Sequence, residues 1–307
     1  MRVTIDTLSK LYLADLLKPL VSVIIPVLNA SSTIDELMEA LEGQTYPREQ
    51  TEIFVIDNGS TDKTVQKAGE YDVTVLDEHS AKNPYAARNC GFESAGGTIM
   101  ALLDANKIPA EDWVENGINA LQKNDADLAG GEIRFSLGDS PSISEVYDSI
   151  TFNNNKKLVE KEGGSAAGNL FVKREVVETV GPFPEYFRSG MDMWWTQEAV
   201  RNGFRLIYAN DAVVYCKPRK FRAVLKKSYR VGVTHPHNLH QSGKTIPAIC
   251  WMILRTFAPP RPVRQTDIQV SATGLWGISW LSKICMGLGR LTGLAKLEKR
   301  KSKRFTH

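Results

Sequence analysis

The 307-residue sequence has few cysteines and no long apolar segment. Its four cysteines lie far apart and form no Cys-x-x-Cys pair, which excludes a zinc ribbon and a disulfide framework and favours a reducing compartment. No stretch reaches the roughly 18 uncharged apolar residues of a membrane-spanning helix. No Gly-x-Gly-x-x-Gly follows the first predicted strand, which argues against a dinucleotide dehydrogenase. With 42% apolar and 24% charged side chains, the composition is that of a globular chain with a sizeable core.

Negative charge is scarce at one end of the chain. Residues 1–211 hold 19 Lys and Arg against 33 Asp and Glu, a net charge of −14. Residues 212–307 hold 19 Lys and Arg against only Asp267 and Glu298, a net charge of +17. This asymmetry predicts that the last third meets an anionic partner, such as an anionic membrane surface or a phosphorylated substrate. Nucleic acid is disfavoured, because no DNA- or RNA-binding module is recognisable.

The apolar pattern predicts an α/β fold in which strands and helices alternate. The predicted elements are strands at 21–25, 52–56, 73–76, 99–103, 126–135, 168–172 and 206–209, and helices at 33–41, from 60 or 61, at 84–94 and at 193–201. Such alternation implies a doubly wound, mostly parallel sheet with flanking helices. Beyond Cys216 the sequence becomes basic and aromatic. We therefore expect an N-terminal extension (1–20), an α/β domain (21–216) and a basic, partly amphipathic helical C-terminal region (217–307).

Polar residues stand where three of the predicted strands end. Ligands bind at the carboxyl ends of strands in open sheets of this kind, and Pro26, Asn29, Asp57 and Asp104 lie there. Asp57 can accept hydrogen bonds from a base or a ribose, or it can close the strand with an Asx turn. Asp104 and Asn106 can together hold a divalent cation, or they can be ordinary loop residues.

Two further candidates lie on predicted helices. Arg88 can bind a phosphate with two hydrogen bonds, or it can belong to a solvated helix face. Asp192 follows a glycine where a helix begins, and the adjacent Trp194 and Trp195 can desolvate its carboxylate and stack on a sugar ring. A carboxylate in that place also stabilises a helix without any catalytic role.

The order of these motifs is more specific than any single motif. They are Pro-Val-Leu-Asn29, Val-Ile-Asp-Asn-Gly-Ser-Thr-Asp62, Ala-Ala-Arg-Asn-Cys-Gly91, Leu-Leu-Asp-Ala-Asn-Lys-Ile-Pro109, Gly-Asn-Leu-Phe-Val-Lys-Arg174, Val-Gly-Pro-Phe-Pro-Glu185 and Ser-Gly-Met-Asp192. Over about residues 20–216 the sequence thereby resembles the family 2 glycosyltransferases of GT-A fold. The resemblance implies an inverting transfer of a sugar from a nucleotide diphosphate sugar, with a UDP-sugar favoured, to an acceptor hydroxyl.

The resemblance also implies a role for individual residues. Asp57 matches the carboxylate that contacts the nucleobase, Arg88 a basic residue near the diphosphate, and Asp104 the first acid of the DxD motif, which approaches ribose and metal. Asp192 matches the general base that takes a proton from the acceptor hydroxyl. The remaining matches are Pro26 and Asn29 in the first nucleotide loop, and Gly168 and Asn169 in a loop that lines the donor or acceptor pocket.

Two departures from the family pattern concern the metal site. Asn106 stands in place of the second acid of DxD, and Cys216 replaces a histidine often found after the last strand. They leave open whether Mn²⁺ or Mg²⁺ binds at Asp104 and Asn106. We hypothesise that metal dependence is weakened or lost and that Lys107 and Lys217 partly neutralise the diphosphate. A catalytically silent GT-A domain that binds nucleotide or a partner enzyme is the alternative.

The C-terminal region carries a second set of candidates. His235, His237 and His240 lie within six residues, but no matching carboxylate is near, so an acceptor-site or flexible-loop role is favoured over a zinc site. We therefore predict an acceptor region formed by Trp194, Trp195, His235 and His237.

The remaining features of the tail concern location. Trp276, Trp280 and the basic run 299–304 suit a membrane interface, although such helices also pack on protein. No secretory signal is visible, since Asp6 and Asp15 interrupt the first twenty residues. The sequence thus predicts a cytoplasmic enzyme, peripheral on the inner face of the cell membrane, that builds a cell-surface polysaccharide or glycolipid.

Overall fold

The structure is a computed structural model that describes residues 18–81, 83–152, 154–185, 189–241, 243–261 and 270–304. The side chains of 241 and 298–304 are not included, so the terminal basic run lies outside the described side chains. Most of the predicted N-terminal extension also lies outside the described residues.

One sheet of eight strands organises the chain, in the order β3-β2-β1-β4-β7-β6-β8-β5. The strands are β1 (Val21–Val27), β2 (Thr51–Asp57), β3 (Thr74–Asp77), β4 (Ile99–Leu103), β5 (Lys107–Pro109), β6 (Leu128–Phe135), β7 (Asn169–Lys173) and β8 (Leu206–Cys216). Strands β3, β2, β1 and β4 are parallel, as are β6 and β8, whereas β7 runs antiparallel to β4 and β6, and β5 to β8. The predicted doubly wound, mostly parallel sheet is confirmed.

Helices flank the sheet and form the C-terminal region. They are α1 (Ile34–Glu42), α2 (Thr64–Ala68), α3 (Pro84–Ser94), α4 (Trp113–Lys123), α5 (Ile143–Thr151), α6 (Asn155–Glu162), α7 (Arg174–Val180), α8 (Met191–Arg201), α9 (Phe221–Gln241), α10 (Ile246–Thr256) and α11 (Ala272–Arg304). Apolar side chains pack on both faces of the sheet. Leu37 and Trp113 lie in the cluster on one face, and Phe92 and Trp195 lie in the cluster on the other.

Two predicted elements have a bound that differs from the observed one by more than two residues. Helix α2 begins at Thr64 rather than at 60 or 61, because the backbone N–H groups of Gly59 and Ser60 bind Asp57 in a turn. Strand β8 continues to Cys216 instead of ending at 209. A register shift opposite Gly131 and Glu132 accommodates the polar residues in its middle.

The C-terminal helices pack on the α/β domain through α5. Val146 and Tyr147 of α5 form an apolar cluster with Val224, Leu275 and Ile278. Helices α9 and α11 cross closely at glycines. A Cβ atom at Gly232, Gly289 or Gly293 would lie closer than 3.0 Å to a carbonyl oxygen of the facing helix. The sequence analysis left open that the C-terminal helices pack on protein, and such packing is present here.

Several apolar side chains of the C-terminal helices are exposed to solvent. These are Trp251 and Leu254 on α10 and Leu281, Leu288 and Leu291 on α11. Among the helices that the structure describes, none is long and apolar enough to cross a bilayer.

Candidate active site

The loops after β1 and β2 are tied together by side chains. Asn29 adopts a left-handed backbone with φ of 52°, and its Oδ1 accepts a hydrogen bond from the Thr61 N–H at 2.8 Å. The Asn29 N–H in turn donates to Ser60 Oγ at 2.9 Å. Pro26 lies in β1 opposite Ile56 of β2. The two predicted nucleotide-binding loops thus form one unit at the carboxyl edge of the sheet.

Asp57 is buried at the end of β2 and closes an Asx turn. Its carboxylate accepts from the Gly59 N–H at 3.1 Å and from the Ser60 N–H at 3.0 Å. The turn that the sequence left open as an alternative is therefore present, and it also fixes the carboxylate at the strand end. The contact with a nucleobase stays a prediction.

Asp57 has two neighbours that the sequence analysis missed. His79 Nε2 lies 3.5 Å from Asp57 Oδ2 and 4.0 Å from Asp77 Oδ1, and the three ligand atoms lie within 4.8 Å of one another. The spacing Asp-x-His after a short strand carries no strong signal. The group has the geometry of a metal site, but the Asp57 oxygens already accept backbone hydrogen bonds, and Asp77 and His79 are exposed.

Asp104 lies between two buried cations. Arg88 of α3 places Nη2 2.6 Å from Asp104 Oδ1, and the Lys107 ammonium of β5 binds Oδ2. Arg88 is 4% exposed and Lys107 is 2% exposed, so the predicted alternative of a solvated Arg88 is wrong. Burial opposes ionisation of Asp104, but the Lys107 and Arg88 charges outweigh it and hold the pKa of this carboxyl well below its usual range.

Gly168 permits this ion pair to form. A Cβ atom at Gly168 would lie closer than 3.0 Å to both Lys107 Nζ and Asp104 Oδ2, and the Gly168 carbonyl accepts from the Asp104 N–H at 3.3 Å. The next side chain, Asn169, is fully buried, and its place in a loop that lines the donor or acceptor pocket stays a prediction. Its Oδ1 accepts from Trp113 Nε1 at 2.8 Å and its amide donates to the carbonyls of Glu132 and Ala212. Asn169 therefore joins β7 to its neighbours.

Asn106 and Cys216, the two departures from the family pattern, lie side by side. Asn106 Nδ2 is 4.0 Å from Cys216 Sγ, and burial raises the pKa of this thiol. The exposed ammonium of Lys217 lies 3.0 Å from Glu36 Oε2, and the hypothesis that it helps to neutralise the diphosphate stays a prediction. A cavity of about 270 Å³ is lined by Asn106, Cys216 and Lys217 among others.

Asp192 is the second residue of α8, after Gly190 and Met191, and its carboxylate is held at both oxygens. The Tyr85 hydroxyl donates to Oδ1 at 3.2 Å, and the Ala167 N–H donates to Oδ2 at 3.1 Å. Tyr85 also accepts from the Met191 N–H at 3.1 Å. Burial and the Asp192 charge raise the pKa of Tyr85 well above its usual range, so its hydroxyl keeps its proton and donates. No sequence signal pointed to Tyr85.

The loop 165–168 brings the two carboxylates together. Ala167 binds Asp192, while the adjacent Gly168 binds the Asp104 backbone and packs on its side chain. Two adjacent residues of one loop therefore contact the predicted base and the predicted diphosphate site. Such proximity is what a single displacement at an anomeric carbon requires.

A cavity of about 900 Å³ lies between α8 and α9, and Trp194, His235 and Asn238 line it. Burial, aided by the Arg290 charge, lowers the pKa of His235 to about 4, so the imidazole is neutral near pH 7. His235 Nδ1 and Asn238 Oδ1 are buried without a hydrogen-bond partner within the described part of the chain. They can therefore bind a polar ligand.

The other predicted acceptor residues are placed differently. Trp195 is a core residue rather than a cavity residue, since its ring packs on Phe183 at 4.7 Å and its Nε1 donates to the Gly181 carbonyl at 2.8 Å. His237 and His240 lie further along α9. Over the residues that the structure describes, these two and His235 form no cluster of candidate metal-ligand atoms, so the disfavoured zinc site has no support here.

Comparison with known proteins identifies the family. The model for glycosyl transferase family 2 matches residues 22–181. The chain is 34% identical over 298 residues to the glycosyltransferase AglE of Haloferax volcanii, covering 91% of this chain and 98% of that protein. It is 27% identical over 210 residues to a dolichyl N-acetyl-alpha-D-glucosaminyl phosphate 3-beta-D-2,3-diacetamido-2,3-dideoxy-beta-D-glucuronosyltransferase of Methanococcus voltae, covering 63% of this chain and 65% of that one.

Solved structures share the fold. The mannosyltransferase PcManGT of Pyrobaculum calidifontis, in complex with GDP-Man and Mn²⁺, has a TM-score of 0.58 at 21% identity and covers 93% of this chain and 76% of its own. TarS 1-349 of Staphylococcus aureus, in complex with UDP, has a TM-score of 0.53 at 19% identity and covers 69% of this chain and 64% of its own. Together with the family match, these likenesses show that the chain belongs to glycosyl transferase family 2 and is a glycosyltransferase of GT-A fold.

Proposed function

We propose that the protein moves a sugar from a nucleotide diphosphate sugar to an acceptor hydroxyl with inversion, during synthesis of a cell-surface polysaccharide or glycolipid. The observation that carries this proposal is the loop 165–168, in which Ala167 binds the Asp192 carboxylate and the adjacent Gly168 binds the Asp104 backbone. A base beside a diphosphate site suits direct displacement, without a covalent intermediate.

Asp192 is the general base in this proposal. Its carboxylate takes the proton of the acceptor hydroxyl while that oxygen forms the new bond to the anomeric carbon, and the bond to the diphosphate oxygen breaks on the opposite side. Tyr85 and Ala167 orient the carboxylate through their hydrogen bonds. They are positioning groups, since they act through Asp192.

The nucleotide occupies the carboxyl edge of the sheet in this proposal. Asp57 and the joined loops of Pro26 and Asn29 bind the nucleoside, and Arg88, Asp104 and Gly168 form the diphosphate end. A UDP-sugar is the proposed donor. Structures of TarS contain UDP and UDP-GlcNAc, which supports that choice, whereas PcManGT contains GDP-Man.

The acceptor enters the cavity between α8 and α9. Trp194 offers an aromatic face for a sugar ring, and the unsatisfied polar atoms of His235 and Asn238 offer hydrogen bonds. His237 follows on the same helix. A neutral His235 both donates and accepts, which suits sugar hydroxyls.

The C-terminal region docks on the anionic inner surface of the cell membrane, and the enzyme works from the cytoplasmic side. Support comes from the exposed Trp251, Leu254, Leu281, Leu288 and Leu291 and from the net charge of +17 over residues 212–307. We accordingly divide the chain into an extension (1–20), a catalytic domain (21–216) and a membrane-associating region (217–307). The relative from Methanococcus voltae is named for dolichyl N-acetyl-alpha-D-glucosaminyl phosphate, which agrees with an acceptor held at a membrane.

Flotation with anionic liposomes tests the membrane step. The protein should float with vesicles that contain phosphatidylglycerol and should stay in the dense fraction with neutral vesicles. A double variant, Trp251→Ser and Leu254→Ser, should float less. Failure of the unaltered protein to float contradicts this part of the proposal.

Replacement of the base tests the enzymatic step. Asp192→Asn should lower sugar transfer by about 10²–10⁴-fold while nucleotide binding survives. Asp139→Asn, which changes an exposed loop residue, is the matched control and should retain activity. A chain that binds nucleotide but shows no transfer before any substitution would favour the silent GT-A domain instead.

A further inference from the structure

We propose that a built-in cationic cluster of Arg88, Lys107, Arg219 and Lys227 offsets the charge of the donor diphosphate in place of a resident divalent cation. This inference rests on the proposed function, because the charge to be offset is that of a nucleotide diphosphate. Two members of the cluster come from the basic C-terminal region, which thereby contributes to the site itself.

The segment Asp104–Asn106 does not fit a divalent cation. Such an ion needs free carboxylate oxygens, yet both Asp104 oxygens already accept hydrogen bonds from charged donors, Oδ1 from Arg88 at 2.6 Å and Oδ2 from Lys107. The Asn106 amide nitrogen lies 4.0 Å from the Cys216 sulfur. Cys216 is 2% exposed, which leaves its sulfur little access to an ion from solvent. A metal ion here would also stand beside two buried positive charges.

Arg219 and Lys227 bring further positive charge to this place. Arg219 precedes α9, and its backbone N–H and Nη1 bind Asp148 Oδ2 at 2.8 Å and 3.2 Å. Lys227 lies on α9 with its Nζ 4.2 Å from the centre of the Phe152 ring. Lys107 pairs with Cys216 in the sheet, and Arg219 follows Cys216 by three residues. Asp148 and Phe152, which contact Arg219 and Lys227, lie four residues apart at the end of α5. The charge of Arg219 also acts on Asp104 and on Lys227. The four cations therefore share one electrostatic environment.

The charge balance of the cluster favours a dianionic ligand. Among the described residues, the ion pairs of Arg88, Lys107 and Arg219 use two carboxylates, Asp104 and Asp148. With a protonated Lys227 as the fourth cation, these six side chains carry a net charge of +2, that of a Mn²⁺ ion. Arg230 on the same helix adds to the positive field at Lys227. The Arg88 Nε donor is buried without a hydrogen-bond partner among the described residues. The cluster thus has both surplus charge and an unsatisfied donor.

The burial of the four side chains determines which of them can contact a diphosphate. Arg88 and Lys107 are almost fully buried, so they act by fixing Asp104 and by their field. Arg219, whose side chain is 22% exposed, and Lys227, on the side of α9, are the members that approach the phosphate oxygens. Arg88 and Lys107 are accordingly positioning residues.

Nucleotide affinity with and without a divalent cation tests the proposal. UDP and GDP are each titrated calorimetrically into the full chain, once with Mn²⁺ and once with EDTA. We expect one of the two nucleotides to bind, and its dissociation constants with Mn²⁺ and with EDTA to agree within twofold. Lys227→Met should weaken binding at least tenfold in EDTA. Lys226→Met, which changes the exposed lysine next to it on α9, should stay within twofold.

A second variant distinguishes charge from mere packing. Lys107→Met frees one Asp104 oxygen, so binding in EDTA should fall at least tenfold and Mn²⁺ should restore part of it. If this variant does not fold, the unaltered chain and the Lys227 and Lys226 variants still decide the matter.

Each contrary result has its own meaning. Binding by the unaltered chain that is at least tenfold tighter in Mn²⁺ than in EDTA shows a resident cation, and it overturns the cluster while the proposed function stands. Equal affinities of Lys227→Met and Lys226→Met also overturn it. If neither nucleotide binds under either condition, the proposed function itself fails.

Discussion

Gly168 is the position where one added methyl group should disturb the site most. A Cβ atom there would lie closer than 3.0 Å to Lys107 Nζ and to Asp104 Oδ2, well inside the usual carbon contact distance of about 3.5–4.0 Å. Lys107 is buried and Arg88 holds the other Asp104 oxygen, so either group can shift only by disturbing these contacts. Gly168→Ala must therefore separate the ion pair or shift the loop that binds Asp192.

Both responses cost stability. Overpacking costs about 1–3 kcal/mol, and leaving a buried charge unpaired costs about 3–5 kcal/mol. Because the partly exposed Asp104 and the loop can relax, we expect a total of about 2–4 kcal/mol. At about 2–4 °C per kcal/mol for a chain of this size, scanning calorimetry should show a Tm lower by about 4–16 °C. Nucleotide affinity should fall at least tenfold.

Gly138→Ala is the matched control for this prediction. No atom lies within 4 Å of a Cβ built at Gly138, so its Tm and nucleotide affinity should remain those of the unaltered chain. If Gly168→Ala also kept both values, the loop 165–168 would not be clamped on Asp104 and Lys107, and the reasoning would fail.

Three further predictions concern titration and burial. His235 has a pKa of about 4 in the folded chain against 6.5 when unfolded, so the unfolded chain binds more protons between these values and stability should fall as pH drops from 6.5 to 4, by up to about 1.4 kcal/mol per pH unit. In denaturant titrations the free energy of unfolding of His235→Gln should depend less steeply on pH than that of the unaltered chain, and equal pH dependences would contradict this. Burial and the Arg219 charge lower the pKa of Lys227 to about 7, and a bound diphosphate should raise it. Nucleotide affinity should therefore weaken from pH 7 to 9, and calorimetry in Tris and HEPES should report proton uptake that Lys227→Met lacks; a binding enthalpy equal in the two buffers would count against it. Trp195→Ala should lose about 3–5 kcal/mol of stability, because Trp195 is a core residue. Trp194→Ala should lose less than half of that. Equal losses in thermal denaturation would show that Trp195 is not the only core residue of the two.

Sequence reasoning located the elements that have local signals. Helix α3 and strand β4 have the predicted bounds, 84–94 and 99–103. For α3 the reason is visible in its first turn, where Asn83 Oδ1 accepts from the N–H groups of Tyr85 and Ala86, and Pro84 occupies a position that needs no donor. The carboxyl ends of β1, β2 and β4 followed from such signals, so the edge of the sheet that holds Asp57 and Asp104 was predictable.

Roles that depend on distant partners were not predictable. Trp194 and Trp195 are adjacent in sequence, yet the helical turn points one into the cavity and the other into the core. Lys217 forms an ion pair with Glu36, far away in sequence. Tyr85 lies on a helix with no motif of its own, and only the fold brings its hydroxyl to Asp192. The charge asymmetry of the chain likewise did not reveal that Arg219 pairs with the buried Asp148.

The loop 165–168 also determines how far the base can move. Ser165 and Thr196 are both fully buried, and the Ser165 N–H donates to Thr196 Oγ1 at 2.9 Å, which joins the start of the loop to α8. Asp192 belongs to the same helix, so the loop is bound to the base at two points, through Thr196 and through Ala167. A donor that displaced Asp104 would press on Gly168, and the joined loop and helix would resist. The carboxylate of the proposed base is therefore held in place before a donor binds, which lowers the ordering that transfer would require. In the proposed mechanism Asp192 therefore does not need to move, and the acceptor needs only to enter the cavity between α8 and α9.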